Sequence, residues 1–195
     1  GARPGTVEIE DPRWGGYLAN VTPSELEGGT LGLLPASMGG AEFLATLEGI
    51  TDPVTRVDPA REYAVRACAA HPIHEHFRVR AFAELLQAPA SERRSELLGE
   101  LMYQSHASYT ACGLGAEATD LLVALVRTAG AARGFFGAKI TGGGSGGTVA
   151  VLGRRGSDIR EIALAYEART GHRPQVFSGS SSGSAAFGTL RLGPA

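Results

Sequence analysis

Five of the six residues from Gly142 to Gly147 are glycine, and only Ser145 interrupts them. Such a run is expensive in backbone entropy. It therefore marks a place where the main chain needs positive φ or where something approaches it closely. An ordinary hairpin turn needs one or two glycines, so five exceed the demand of the turn alone. The flanks read as strands, Phe135–Ile140 before the run and Thr148–Leu152 after it. The stretch Gly137–Thr148 (GAKITGGGSGGT) is thus predicted as a glycine loop joining two neighbouring strands, which pair antiparallel when they follow so closely.

Successive unshielded N–H groups can form a concave anion site of the kind that holds phosphates. Lys139 and the hydroxyls of Thr141, Ser145 and Thr148 add donors. Lys139 is the only lysine, against seventeen arginines. Gly142, Gly144 and Gly147 satisfy G-x-G-x-x-G, but a dinucleotide fingerprint must open a helix, and here the strand Thr-Val-Ala-Val-Leu follows. A Walker A loop is excluded because no Gly-Lys-Ser/Thr occurs. Two readings remain from the residues alone: a phosphate-facing loop, and a flexible hairpin without a ligand.

The rest of the chain supplies helices. Residues 1–20 read as an irregular N-terminal segment, followed by a domain over 21–195. Thr22, Pro23 and Glu25 form the signature of a capped helix start. A short helix is predicted over Met38–Leu47 and turns at the Asp-Pro pairs 52–53 and 58–59. Tyr63–Ala67 reads as a strand, and Glu75–Gln87 as a helix with Phe77, Ala81, Phe82 and Leu85 on one stripe. Ser91 caps a longer helix bearing Leu97, Leu98, Leu101 and Met102. Gly113 and Gly115 break the chain. A further helix runs to Gly130, burying Ala118, Leu121, Leu122, Leu125 and Ala129. Asp158–Thr170 is a helix ended by Gly171, with Pro174 beyond. Val176–Phe177 and Gly188–Leu192 are short strand candidates, separated by the low-complexity loop Ser178–Ser184. This order predicts an α+β fold, a small antiparallel sheet with helices packed on one face.

Other reactive residues have structural explanations. His71, His74 and His76 form H-x2-H-x-H, which lacks a fourth ligand for a metal and sits at a predicted helix start. His106 could serve as a base beside a serine, but no G-x-S-x-G elbow accompanies it, and at a helix end it is read as ordering the chain. Cys112 and Cys68 are read as small buried side chains. Glu117 and Asp120 open a helix, where carboxylates favour the dipole. Arg154 and Arg155 read as a solvated turn.

Composition narrows the classes of partner. The 195 residues, 43% of them apolar, suit one globular domain rather than a disordered chain. No apolar run approaches the ~20 residues of a membrane span, and no signal peptide is visible. The formal charge of −2 argues against electrostatic binding of nucleic acid or acidic membranes. Two cysteines make no disulfide framework, so a cytoplasmic, reducing location is expected.

Gly137–Thr148 resembles the third conserved motif of the GHMP small-molecule kinases, the galactokinase-like superfamily. Gly99–Ser108 (GELMYQSHAS) resembles the galactokinase segment that precedes it. Gly16–Pro23 (GYLANVTP), Asp52–Asp58 (DPVTRVD), His71–Ile73 (HPI), Phe77–Ala81 (FRVRA), Ser108–Gly115 (SYTACGLG) and Phe187–Leu192 (FGTLRL) are similar to the L-arabinokinase-like branch, so the resemblance covers most of the chain.

The resemblance implies a ferredoxin-like C-terminal lobe of an ATP-dependent sugar kinase. The other lobe would carry a His-Thr-Asp sugar segment, a Gly-Leu-Ser-Ser-Ser-Ala phosphate loop and an aspartate near the acceptor hydroxyl; none of these strings occurs here. It also implies that Thr141, Gly142, Gly143, Gly144, Ser145, Gly146 and Gly147, with Lys139 beside them, help shape the triphosphate pocket and support the other lobe's phosphate loop, while ATP and Mg2+ are both held mainly by the absent N-terminal lobe. That lobe and a monosaccharide are the expected partners, and the isolated lobe is expected to be inactive and prone to self-association. The alternatives are a stand-alone module that binds a nucleotide, a sugar or a protein, and a metal-dependent hydrolase at the histidine cluster.

Overall fold

The computed structural model describes residues 6–52, 54–179 and 181–190. The chain forms two compact units, residues 1–157 and 158–195.

In the first unit, Thr22 caps a single turn, α1 (Pro23–Glu25), through the predicted reciprocal box: the Thr22 hydroxyl accepts from the Glu25 amide, and the Glu25 carboxylate accepts from the Thr22 amide. Wider turns over Leu26–Thr30 lead into α2 (Leu31–Leu33). Strand β1 (Met38–Gly39) precedes helix α3 (Gly40–Thr46) and pairs antiparallel with β2 (Glu62–Tyr63). The expected helix start at Met38 therefore moves to Gly40, because Met38 and Gly39 are taken into a strand.

The long helices follow. Helix α4 (Val65–Gln87) begins ten residues before the expected start at Glu75, so the expected strand Tyr63–Ala67 is confined to its first residue. Pro72 lies inside α4. A proline deletes one helical hydrogen bond. Packing outweighs that loss here: Ile73 is buried with Val21 and Leu26, and Ala70 and Trp14 close the cluster. The chain turns before Pro89 into α5 (Glu92–Ala111), which Ser91 caps by accepting the Arg94 amide at 3.1 Å. Helix α6 (Glu117–Ala129) ends at Gly130, φ 64.

Strands β3 (Phe135–Ile140) and β4 (Val149–Gly153) form the antiparallel pair predicted around the glycine loop, with Ile140 opposite Val149 and Ala138 opposite Val151. The register slips by one residue between Phe135 and Gly137, which makes a bulge. Helices α5 and α6 both pack on β3. Five of the six β3 residues are buried, whereas β4 alternates. The core therefore joins Leu98 and Met102 of α5, Val123, Leu125 and Val126 of α6, and Phe135, Phe136, Ala138 and Ile140 of β3. Burying a side chain such as Ile140 contributes on the order of 2 kcal/mol.

Three helices expose an apolar residue of their predicted set. In α6 the buried residues are Thr119, Val123, Leu125 and Val126, and Ala118 is exposed. Phe77 and Leu97 are also exposed. In each case the neighbour that a helix meets, not its own apolar spacing, selects the face.

The second unit contains α7 (Arg160–Thr170), which ends as predicted at Gly171 with φ 73, and the turn α8 (Ser184–Phe187). Ile162, Ala163 and Tyr166 are its buried residues. The expected strand at Val176–Phe177 is absent, and Phe177 is exposed. Residues 188–190 form no strand either, and the remainder of that expectation, 191–192, lies outside the described residues, as does Pro53 of the first Asp-Pro pair. The fold is α+β with small antiparallel sheets, as the sequence predicts. Among the described residues no helix is long and apolar enough to cross a membrane.

Candidate functional site

The glycine loop stands on a frame supplied by three elements. At its base the Thr141 amide and hydroxyl both donate to the Thr148 carbonyl, at 2.9 and 3.2 Å. From one side the Leu114 carbonyl, in the α5–α6 turn, accepts the Ser145 amide at 2.6 Å. From α5 the Tyr109 hydroxyl donates to the Gly142 carbonyl at 3.3 Å. Gly142, Gly144, Ser145, Gly146 and Gly147 all have positive φ, which explains most of the glycine content. Gly144 is constrained twice: its φ is 90, and a Cβ there would lie 2.6 Å from the Leu114 carbonyl oxygen.

The loop is exposed or half-buried throughout. Among the described residues the amides of Gly142, Gly143, Gly144, Gly146 and Gly147 donate to no protein acceptor. Five N–H groups are thus open to an outside acceptor while the loop's shape is fixed from behind. Clefts of about 170 Å³, between α5, α6 and β3, and about 540 Å³, around residues 7–21, lie elsewhere and take no lining residue from the loop. The candidate site is a presented loop rather than a cavity.

Lys139, on β3 just before the loop, has partners of its own. Its Nζ lies 3.2 Å from Glu75 Oε1 and 5.4 Å from the centre of the Tyr109 ring. Glu75 is the centre of a half-buried network. Its Oε1 also accepts the Ser105 hydroxyl at 2.5 Å, and its Oε2 accepts Arg78 Nε at 2.8 Å. Burial pushes the Glu75 carboxyl up, but the hydrogen bonds from Ser105 and Arg78 and the Lys139 charge outweigh it, and the group stays below the usual carboxylate range.

The histidines have partners of their own. His71 Nδ1 lies 2.8 Å from the Ser108 hydroxyl, and its ring meets Tyr109 edge-on. His106 Nδ1 accepts the Ile140 amide at 3.3 Å, which places the proton on Nε2, 3.2 Å from Asp120 Oδ1. His106 therefore ties α5 to β3 and α6, as its structural reading requires. Burial holds both histidines below their usual value. Among the described residues no three His, Cys, Asp or Glu side chains gather as a metal site would require. Cys68 is exposed and Cys112 half-buried, which corrects the expectation that both are buried.

The structure thus brings Thr141–Gly147 together as one loop, with Lys139 on the strand that leads into it and bridged to Glu75. The supports Tyr109, Leu114 and Glu75 were not singled out by sequence reasoning. Tyr109 and Leu114 lie within Ser108–Gly115, whose only visible signal was its family likeness.

Two comparisons with known proteins cover this region. The family "GHMP kinases C terminal" matches residues 81–172, a span that contains the whole loop and its supports in α5 and the α5–α6 turn. L-arabinokinase of Arabidopsis thaliana is 45% identical over 186 residues, covering 90% of this chain and 18% of that protein. The chain thus spans less than a fifth of the length of the curated relative it matches. The likeness to a GHMP kinase C-terminal domain thus holds for residues 81–172, and most of the chain is similar to a part of L-arabinokinase.

Proposed function

We propose that the chain is the C-terminal lobe of an ATP-dependent monosaccharide kinase of the galactokinase and L-arabinokinase type, acting in the cytoplasm. In that reaction the anomeric hydroxyl oxygen attacks the γ-phosphorus, the bond to the bridging oxygen breaks, and ADP leaves. Catalysis of this kind is mostly positioning and neutralisation of oxygen charge. The observation that carries the reading is the set of five amides on the braced loop 142–147 that meet no protein acceptor among the described residues. Phosphate oxygens are acceptors, and amides held in place beforehand need no reorganisation to meet them. Ser145 adds a hydroxyl, and Lys139, held by Glu75, adds positive charge on the strand that leads into the loop. The donor set suits phosphate rather than metal, so magnesium ligands are assigned to the N-terminal lobe, with the sugar site and the base. Likeness to L-arabinokinase supports a sugar acceptor.

On this reading the 195 residues alone turn over no ATP and bind Mg-ATP weakly or not at all, and their exposed apolar residues favour self-association. The test is ADP release with a panel of monosaccharides, by this chain alone and by the chain joined to the polypeptide encoded immediately upstream. Turnover is expected only in the joined form. There Gly144→Ala, which displaces the loop from Leu114, is expected to raise the KM for ATP about tenfold, the equivalent of one charge-assisted hydrogen bond, with the KM for sugar unchanged. Turnover by the isolated chain, or an upstream frame without a phosphate loop, overturns the proposal; the latter result would favour a stand-alone binding module.

A further inference from the structure

The two cysteines of the chain are 44 residues apart in sequence and adjacent in space. Cys68 lies in the first turn of α4, and Cys112 follows the last residue of α5. Cys68 Sγ is 3.9 Å from the Cys112 carbonyl oxygen, and Cys112 Sγ is 3.4 Å from the Ala67 carbonyl oxygen. Each sulfur therefore rests on the main chain that carries the other. Such mutual approach of two exposed or half-buried thiols is the geometry from which a disulfide closes without moving the backbone far.

We propose that Cys68 and Cys112 are a reversible dithiol–disulfide pair, closed by hydrogen peroxide, that fastens the corner on which the glycine loop rests. The chemistry follows the exposure of the two groups. The exposed Cys68 thiolate attacks one peroxide oxygen, the O–O bond breaks, and Cys68 becomes a sulfenic acid as hydroxide leaves. Cys112 sulfur then attacks Cys68 Sγ, the S–O bond breaks, and the departing hydroxide takes the Cys112 proton to leave as water. Two thiols and one peroxide give one disulfide and two waters. Burial first, then the neighbouring Cys68, pushes the Cys112 thiol up to about 11. Cys112 therefore suits the second step, where the leaving hydroxide accepts its proton, better than the first.

The position of the link gives it a consequence. Cys112 is followed by Gly113 and then by Leu114, whose carbonyl holds the Ser145 amide. Tyr109, which holds the Gly142 carbonyl, is in the last turn of α5. A bond from Cys112 to α4 therefore pins both supports of the loop to a second helix. This proposal does not depend on the kinase reading, and its readouts do not require ATP.

The test treats the reduced 195-residue chain with hydrogen peroxide at a concentration low enough to disfavour intermolecular linkage. Expected are loss of both free thiols together, a mass decrease of two hydrogens, a non-reducing peptide map linking the Cys68 and Cys112 peptides, and full reversal by dithiothreitol. In the oxidised chain the Ser145 amide is expected to exchange several-fold more slowly. The variant Cys112→Ser is expected to leave Cys68 as a sulfenic acid that dimedone traps, and Cys68→Ser to leave Cys112 as an unmodified thiol. The wild-type map alone decides the linkage, whatever the stability of the variants. Independent oxidation of the two thiols to sulfinic acids, or dimers linked only through Cys68, overturns the pair; unchanged exchange at Ser145 in a linked monomer overturns the coupling to the loop.

Discussion

Helix α5 and strand β3 meet main chain to main chain, and the substitution Gly99→Ala tests that contact directly. A Cβ on Gly99 would lie 1.9 Å from the Phe136 carbonyl oxygen, where ordinary contact begins at 3.4 Å. The reciprocal Cβ on Gly137 would lie 2.4 Å from Gly99 Cα. Neither obstacle is the end of a flexible side chain, so α5 must move off the sheet as a body. Overpacking of this kind typically costs about 1–3 kcal/mol, occasionally more. Replacing a mid-helix glycine by alanine returns about 1 kcal/mol through propensity. Because both walls are backbone, the upper end of the first range applies, and the net loss expected is about 2 kcal/mol. For a chain of this length that lowers Tm by about 4–8 °C. Thermal and urea unfolding followed by far-ultraviolet circular dichroism measures it, with Gly32→Ala as the control, since a Cβ on Gly32 meets nothing within 4 Å. Gly137→Ala meets the same crossing. The double variant is therefore expected to lose less than the sum of the two, because one displacement accommodates both methyls. A Gly99→Ala chain as stable as the parent, or strict additivity in the double variant, would refute the close approach.

Acid sensitivity should follow His106 and His71. Both titrate below the ordinary histidine value in the folded chain, with burial as the main cause, so the unfolded chain binds more protons. Their stabilisation is complete above about pH 6.5 and is lost as pH falls through the lowered folded values, at up to about 1.4 kcal/mol per pH unit for each histidine. His106→Asn, which keeps an acceptor for Ile140 and cannot titrate, is expected to flatten that part of the Tm profile between pH 7 and 5; an unchanged slope would remove His106 from the account. Glu75→Gln leaves Lys139 and Arg78 half-buried without their shared carboxylate. Its expected loss is near the low end of the roughly 3–5 kcal/mol for breaking a buried pair, because the group is partly solvated. A second change, Lys139→Met, should recover part of that loss in urea unfolding, and no recovery would refute the pairing. Tyr109→Phe removes one loop support worth about 0.5–1.5 kcal/mol, so amide exchange over 141–148 should quicken while Tm moves by only a few degrees.

The parts of the fold written in local chemistry were legible. The Thr22 and Ser91 caps, the left-handed stop at Gly171 and the hairpin around the glycine run each depend on a few adjacent residues, and the structure contains them. Expectations failed where a distant neighbour decides. The helix expected from Glu75 begins at Val65 and runs through Pro72, because Ile73 and Ala70 pack on Val21 and Leu26. Phe77 and Leu97 kept the period of a buried stripe but face solvent, because α4 and α5 turn Ile73, Leu98 and Met102 inward instead. For the loop, glycine content revealed that the backbone is special but not what braces it. Leu114 and Tyr109 act from 30 or so residues upstream through a carbonyl and a hydroxyl, and no spacing rule points to them. Gly99 was the missed signal: a glycine within a leucine-rich helix marks a close crossing.

Seventeen arginines and one lysine leave amine-directed reagents very little to find. The lone ε-amine is salt-bridged to Glu75 and sits over the face of the Tyr109 ring. Acylation at position 139 must wait until that embrace loosens, so the rate at which an activated ester labels it is a clock for the opening of the Glu75–Lys139 bridge. Cross-linkers that bridge paired lysines will be blind to this chain's interior, and guanidine-directed or carboxyl-directed chemistry is the way to map what docks against it.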